Sequence, residues 1–212
     1  MLHYKTVSTE LLELLKFCMA REEFSKLRLV GGTDLALQFG HRKSIDIDLF
    51  GSINLEEIEC SKILEIFSPN VQIVSKQKNI NIFIVNGIKI DLVNYDYPWL
   101  KEHVIIDDIR LARIEDVAAM KLNAIAGRGS KKDFIDLELL LAELTLQQIL
   151  DFYKTKYSQK SEFMAIKSML NFADADMEIE PEMFMDFDWS KTKQLIKQHV
   201  EDYLNKEQRT TN

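Results

Sequence analysis

The residues best suited to chemistry are three aspartates and a pair of glycines. Asp46 and Asp48 stand two apart in His41-Arg42-Lys43-Ser44-Ile45-Asp46-Ile47-Asp48-Leu49-Phe50. Two residues apart on a strand means one face, where paired carboxylates can share divalent cations. Ile45, Ile47 and Leu49 are then expected to face the core. Upstream, Gly31-Gly32-Thr33 closes a short apolar run. The glycines let the backbone turn sharply and approach a ligand with no Cβ in the way. Thr33 reads as the cap of the following helix, with its hydroxyl and the free N–H groups facing one point, a geometry suited to an anionic phosphate. A third carboxylate is Asp91, in Lys89-Ile90-Asp91-Leu92-Val93. Its apolar neighbours have strand character, and an ionised aspartate there needs a compensating charge. Arg42 and Ser44 lie just before the carboxylate strand, where either could touch phosphate oxygens; Ser44 could equally just end a loop. His41 reads as structural.

Each piece alone is weak: Gly-Gly-Thr is most often a turn and helix cap, and Asp-x-Asp a solvated strand end. Their conjunction is much stronger. Other chemistries lack their residues. His3, His41, His103 and His199 are too scattered for a metal cluster, and Cys18 and Cys60 lack ligand spacing, so both read as reduced structural thiols.

The elements that must position these groups follow from periodicity. Apolar residues recur at helical spacing over residues 8–24. Residues 27–30 read as a strand running into the glycines, 33–39 as a short helix, and 44–50 as an alternating strand. A helix from Asn54, Glu56 and Glu57 to Phe67 precedes three strands at 71–76, 81–85 and 88–94, the last two joined by the hairpin turn Asn86-Gly87. Beyond Tyr97-Pro98-Trp99 the pattern is helical, at 114–125, 132–144, 146–157, 162–172 and 191–205. The expected fold class is therefore α+β: an α/β domain over residues 1–105 with a mixed sheet of about five strands, then a helical domain over 106–212 that contributes to the nucleotide cleft.

Composition bounds the functions available. The 212 residues are 46% hydrophobic, enough for one large core or two modest ones. No apolar run approaches the ~18 residues of a membrane span, and the N-terminus carries no signal-peptide core. A cytoplasmic protein without a membrane partner is expected. The net charge of -7 argues weakly against a dedicated nucleic-acid binder. A local basic stretch, Arg110, Arg113, Lys121, Arg128, Lys131 and Lys132, could override that average.

Gly31-Gly32-Thr33, then Asp46-x-Asp48, then Asp91 resembles the signature of the DNA polymerase β-like nucleotidyltransferase superfamily. Within it, Gly31-Gly32-Thr33-Asp34-Leu35-Ala36-Leu37 with His41-Arg42-x-Ser44-x-Asp46-x-Asp48-Leu49-Phe50 is similar to the AbiEii/AbiGii toxin branch. The likeness continues through Asp116-Val117-Ala118-Ala119-Met120-Lys121 and Arg128-Gly129-x-x-Lys132-Asp133-x-x-Asp136-Leu137, covering residues 27–140. The helix holding Lys121 could carry its ammonium to a triphosphate as a point charge; the resemblance implies that this lysine serves the nucleotide. Otherwise Lys121 is solvated, and Arg128 with Asp133 or Asp136 pins two helices together. Lys132 opens the next helix.

The resemblance implies an NTP substrate and two magnesium ions, or manganese, held by Asp46, Asp48 and Asp91. An acceptor hydroxyl would attack the α-phosphate in line and pyrophosphate would leave, with Asp91 as general base or its metal-bound equivalent. It further implies the toxin of a bacterial toxin-antitoxin pair, with an antitoxin protein as partner and an RNA such as the tRNA acceptor end as target. Two alternatives stand beside it. A small cationic acceptor such as an aminoglycoside would be drawn by the acidic charge, and a silent nucleotide-binding module would keep the fold without the reaction. Tyr95, Tyr97 and Trp99, which follow the third carboxylate, either line an acceptor cleft or pack between domains.

Overall fold

A computed structural model of the chain describes residues 1–77 and 79–210, without the side chains of residues 76, 77, 207, 209 and 210. It divides into two compact units, one of Met1–Tyr97 with Glu102–Arg113, the other of Pro98–Lys101 with Ile114–Asn212.

The first unit is built on a sheet. Its opening helix α1 (Thr9–Ala20) is capped by the Ser8 hydroxyl, which accepts the Leu11 N–H at 3.1 Å. Leu11, Leu14, Leu15, Cys18 and Met19 form its buried stripe, the i, i+3, i+4, i+7 spacing of a core-facing helix. After Ala20 a 3-10 turn, Glu22–Phe24, replaces the continued helix expected to residue 24. Then come β1 (Leu27–Leu29), α2 (Gly31–Phe39), β2 (Asp46–Gly51), α3 (Glu57–Phe67), β3 (Val71–Gln77), β4 (Ile80–Val85), β5 (Ile88–Asn94), β6 (Val104–Ile106) and β7 (Ile109–Leu111). The Glu56 side chain caps α3 and reciprocates with Glu59.

The strand order is β3-β4-β5-β2-β1-β7-β6. The sheet is mixed: β2 runs parallel to β5 and β1 parallel to β7, while the other neighbouring pairs are antiparallel. It has seven strands, which corrects the expectation of about five. The two additional strands have three residues each, too short to show alternation, and they join through Asp107 and Asp108, both at positive φ (50° and 65°). Asn86 (φ 50°) and Gly87 (φ 83°) form the expected hairpin turn.

The Arg110 guanidinium pins the sheet's β7 side to α1. It donates to the carbonyls of Leu27 (2.7 Å), at the start of β1, and of Met19 (2.8 Å) and Phe24 (3.0 Å), which two helix ends leave over. Arg110 is thereby spent internally, and so are Lys121 and Lys131, both buried. Of the basic stretch seen in the sequence, Arg113 and Arg128 remain exposed and Lys132 half-buried, so only part of it faces solvent.

The core lies on one face of the sheet, where Ile47, Leu49, Phe83, Ile90 and Leu92 meet the apolar stripes of α1 and α3. Ile45 does not join them. It precedes β2 and is 61% exposed, so the expected inward run begins only at Ile47. Both cysteines are buried there, and burial pushes the Cys18 thiol up to about 12 and the Cys60 thiol to about 11, as structural thiols require.

The second unit is helical: α4 (Ile114–Gly127), α5 (Lys131–Glu143), α6 (Leu146–Lys156), α7 (Glu162–Met169), α8 (Ala173–Asp176) and α9 (Trp189–Thr210). Capping boxes at Ser130 with Asp133 and Thr145 with Gln148 start α5 and α6. A fully buried ion pair, Lys156 Nζ to Asp116 Oδ1 at 2.6 Å, ties α6 to α4. The same Asp116 carboxylate accepts the N–H groups of Leu100 and Lys101, and Lys156 donates to the Pro98 carbonyl at 2.7 Å. This explains why Pro98–Lys101 belongs to the helical unit. Among the described residues, no helix is long and apolar enough to cross a membrane.

Candidate active site

The sheet face opposite the core carries the acids. Along β2, Ile47 and Leu49 are fully buried while Asp46, Asp48 and Phe50 alternate on the outer side. On the parallel neighbour β5, Asp91 is the register partner of Asp48, and Lys89 that of Asp46. Register partners on adjacent strands lie about 4.8 Å apart between backbones, so the Asp48 and Asp91 side chains project side by side. Asp46 stands two residues before Asp48 on the same face. The topology thus places on one face of the sheet three acids separated by up to 45 positions in sequence.

The glycine turn reaches this face from β1. The Val30 N–H donates to the Asp48 carbonyl at 3.0 Å, so the chain leaves the sheet beside Asp48. Gly31 then adopts φ 74°, and a Cβ on it would lie 2.7 Å from Asp48 Oδ2. Only glycine fits there, on both counts. Gly31→Ala is expected to cost about 1–3 kcal/mol and to slow turnover, because the Asp48 carboxylate must move aside. Thermal melting and a transfer assay on the same preparation check both effects.

Helix α2 begins at Gly31 with Val30 as its N-cap, so Thr33 is a first-turn residue and not the cap expected from the sequence. The Thr33 hydroxyl is buried and faces back to the strand, donating to the Asp46 carbonyl and pairing with the Ser44 hydroxyl at 2.8 Å. It clamps the start of α2 to the start of β2. The first-turn N–H groups of α2 lack intrahelical acceptors by helix geometry and carry the positive end of its dipole. Arg42 is buried, donates to the Lys43 carbonyl at 3.0 Å, and lies so close to Gly32 that a Cβ there would clash with its Nη2. Arg42 and Ser44 thus support the turn from beneath.

Sequence reasoning passed over Lys89. Its ammonium reaches both Asp91 oxygens, at 2.5 and 2.6 Å, and supplies the compensating charge that an ionised aspartate among apolar neighbours needs. The signal was present: two residues before Asp91 on an alternating strand is the same face.

Lys121 lies in the helical unit. Its ammonium bridges Asp136 Oδ2 (2.7 Å) and Asp133 Oδ1 (3.1 Å), tying α4 to α5. The helix-pinning cation is thus Lys121 and not Arg128. Burial pushes the Asp133 carboxyl up, but the Lys121 ammonium and the Ser130 hydroxyl outweigh it and hold the carboxyl below its ordinary range.

Aromatic rings continue the acidic face. Phe50, Tyr95 and Tyr97 form a series with centroids 5.3 and 5.4 Å apart, spacings of favourable ring contact. Trp99 belongs instead to the helical unit, under the Lys156 ammonium at 4.5 Å.

Hard carboxylate oxygens suit magnesium, which takes one or two carboxylates and fills its remaining octahedral positions with water and substrate phosphate. Asp48 and Asp91, register partners on adjacent strands, are the two carboxylates that such an ion would use. Among the described residues, no three His, Cys, Asp or Glu side chains are gathered into a cage of their own.

Comparison with known proteins bears on the reaction. Residues 16–209 match the family model described as nucleotidyl transferase AbiEii toxin of a type IV toxin-antitoxin system. The protein aq_aa25 of Aquifex aeolicus (strain VF5) is 33% identical over 184 residues, 83% of this chain and 87% of that one. Several solved structures share the fold, among them one known by its reaction and one by its ligand. The nucleotidyltransferase toxin MenT4 from Mycobacterium tuberculosis H37Rv superposes with a TM-score of 0.60 at 10% identity, over 90% of this chain and 81% of its own. ANT(2'')-Ia, solved in complex with adenylyl-2''-tobramycin, gives 0.56 at 15% identity, over 73% of this chain and 100% of its own.

Proposed function

Because this chain belongs to the AbiEii nucleotidyl transferase toxin family, and is thus a nucleotidyltransferase, we propose that it moves a nucleoside monophosphate from an NTP to an RNA hydroxyl, tRNA being the foremost candidate. The observation that carries the proposal is the registry of Asp48 with Asp91 on adjacent parallel strands, beside the Gly31 turn.

In this reading Asp46, Asp48 and Asp91 hold magnesium. The ion would lower the pKa of the attacking hydroxyl and neutralise charge on the departing pyrophosphate. The chain's own groups do the remaining work. The backbone N–H groups of Gly31, Gly32 and Thr33 face the triphosphate at the positive end of α2. Arg42, Ser44 and the Thr33 hydroxyl keep that turn in place against the strand. Asp91 takes the acceptor proton or keeps the hydroxyl oriented. Lys121, paired with Asp133 and Asp136, holds α4 to α5 within the helical unit.

The ring series Phe50, Tyr95 and Tyr97 favours a base-bearing acceptor, since aromatic faces stack bases of any sequence. A small cationic acceptor is the second reading, favoured by the net charge of -7 and by the fold shared with ANT(2'')-Ia. The family's description as part of a type IV toxin-antitoxin system supports pairing with an antitoxin, and free buried thiols together with NTP use favour the cytoplasm.

Incubation of the purified chain with each labelled NTP, magnesium and total tRNA is expected to label the RNA. Label appearing only on aminoglycosides would move the acceptor to the second reading. Calorimetry finding no magnesium-dependent NTP binding would leave a silent module and end the proposal.

A further inference from the structure

Lys89 has a geometry that the transfer reaction does not call for. Its ammonium makes two contacts, 2.5 and 2.6 Å, to the two oxygens of a single carboxylate, that of Asp91. It sits in register with Asp46, directly beside the Asp48–Asp91 pair, so a positive charge already stands on the acidic face. The Lys89 side chain is 42% exposed and Asp91 17%, so the carboxylate is sheltered while the lysine can swing to solvent on its flexible stem. Both Asp91 oxygens are engaged, so a divalent ion must share that carboxylate with the ammonium or displace it.

We propose that Lys89 is a built-in counter-ion of the metal site: it occupies Asp91 in the metal-free chain, competes with the divalent cation for that carboxylate, and is displaced when the cation binds. This inference rests on the assignment of Asp46, Asp48 and Asp91 as metal-holding residues. Two consequences follow from charge alone. The three-acid face is relieved of part of its self-repulsion when empty. Divalent affinity is also set lower than the acids alone would give, because binding must break an ion pair as well as shed water. Lys89 is therefore a positioning residue, acting through Asp91.

The test is manganese binding without nucleotide, followed by electron paramagnetic resonance of free Mn2+ and by calorimetry. Lys89→Met keeps the aliphatic stem and removes the competitor, so affinity should rise about 5- to 10-fold, the worth of a partly exposed ion pair plus one like charge removed. Lys89→Arg keeps the competitor and should stay within about 2-fold of the parent chain. If Lys89→Met fails to fold, Lys89→Gln makes the same comparison. Equal affinity in the parent chain and the Met and Gln variants, with Asp91→Ala still losing manganese, overturns the role of Lys89 and leaves the metal site standing. Manganese binding that is absent from the parent chain, or indifferent to Asp48→Ala and Asp91→Ala, overturns the metal site and this inference together.

Discussion

Asp48→Ala is expected to lower nucleotidyl transfer by about 10³-fold or more, the scale on which a single preorganised charge partner is felt, while leaving the fold intact. Asp48 is singled out because it is where three features meet. It is flanked by Asp46 on its own strand and by Asp91 across the register, and Gly31 forgoes a Cβ to pass its carboxylate. Its removal leaves Asp46 and Asp91 without the central member. Folding should survive because the side chain lies on the outer face of β2 and contributes nothing to the cluster containing Ile47 and Leu49. Asp48→Asn separates charge from shape: it keeps the volume beside Gly31 and should lose nearly as much activity. The checks are transfer of labelled NMP over a magnesium titration and a circular dichroism melt of each variant. Transfer retained within about 10-fold of the parent, a deficit of only about 1.4 kcal/mol in the barrier, would remove Asp48 from the metal site.

The acids were legible in the sequence because strand periodicity is strict: Asp46 and Asp48 share a face whatever the surrounding fold. Their partnership with Asp91 was not deducible from spacing, since it depends on β5 lying next to β2, and β2 and β5 are separated by α3, β3 and β4. Asp91 stood out because apolar, strand-forming residues flank it, and the register then placed it opposite Asp48. Lys89 was missed because a lysine on a strand is by default a solvated one, and nothing in the local pattern says whether its stem turns outward or back along the strand to a carboxylate.

Local signals failed where the chain is short or where a polar group is turned inward. Three residues cannot display a period of two, so Val104–Ile106 and Ile109–Leu111 fall unmarked in the part of the chain that reads as helical. Thr33 has the composition of a helix cap, but tertiary structure moved the cap to Val30 and used the hydroxyl to bind Asp46 and Ser44 instead. Arg110 and Lys131 look like surface cations until the carbonyls they serve are known, those of Leu27, Met19 and Phe24 in one case and of Glu178 in the other. Helices with full turns and apolar stripes were recovered to within a few residues, α4 and α6 among them.

Lys156→Met is expected to destabilise the helical unit by about 3–5 kcal/mol, the cost of leaving one member of a buried ion pair uncompensated. Both side chains are wholly inaccessible to solvent, so water cannot replace the lost ammonium at Asp116. Methionine keeps most of the stem's packing, which confines the loss to the charge, the Pro98 carbonyl and the contact over Trp99. Asp116 cannot simply be neutralised by removal, because its oxygens also hold the Leu100 and Lys101 N–H groups. A rescue should therefore keep an acceptor and discard the charge. Lys156→Met combined with Asp116→Asn should recover part of the stability, since the amide oxygen still takes one backbone N–H. The chain's two tryptophans, Trp99 and Trp189, both lie in the helical unit, so intrinsic fluorescence in a urea titration reports that unit selectively. A loss below about 1 kcal/mol, the range of exposed pairs, would mean that Lys156 and Asp116 are hydrated in solution and that Pro98–Lys101 is held to the helices by something other than this pair.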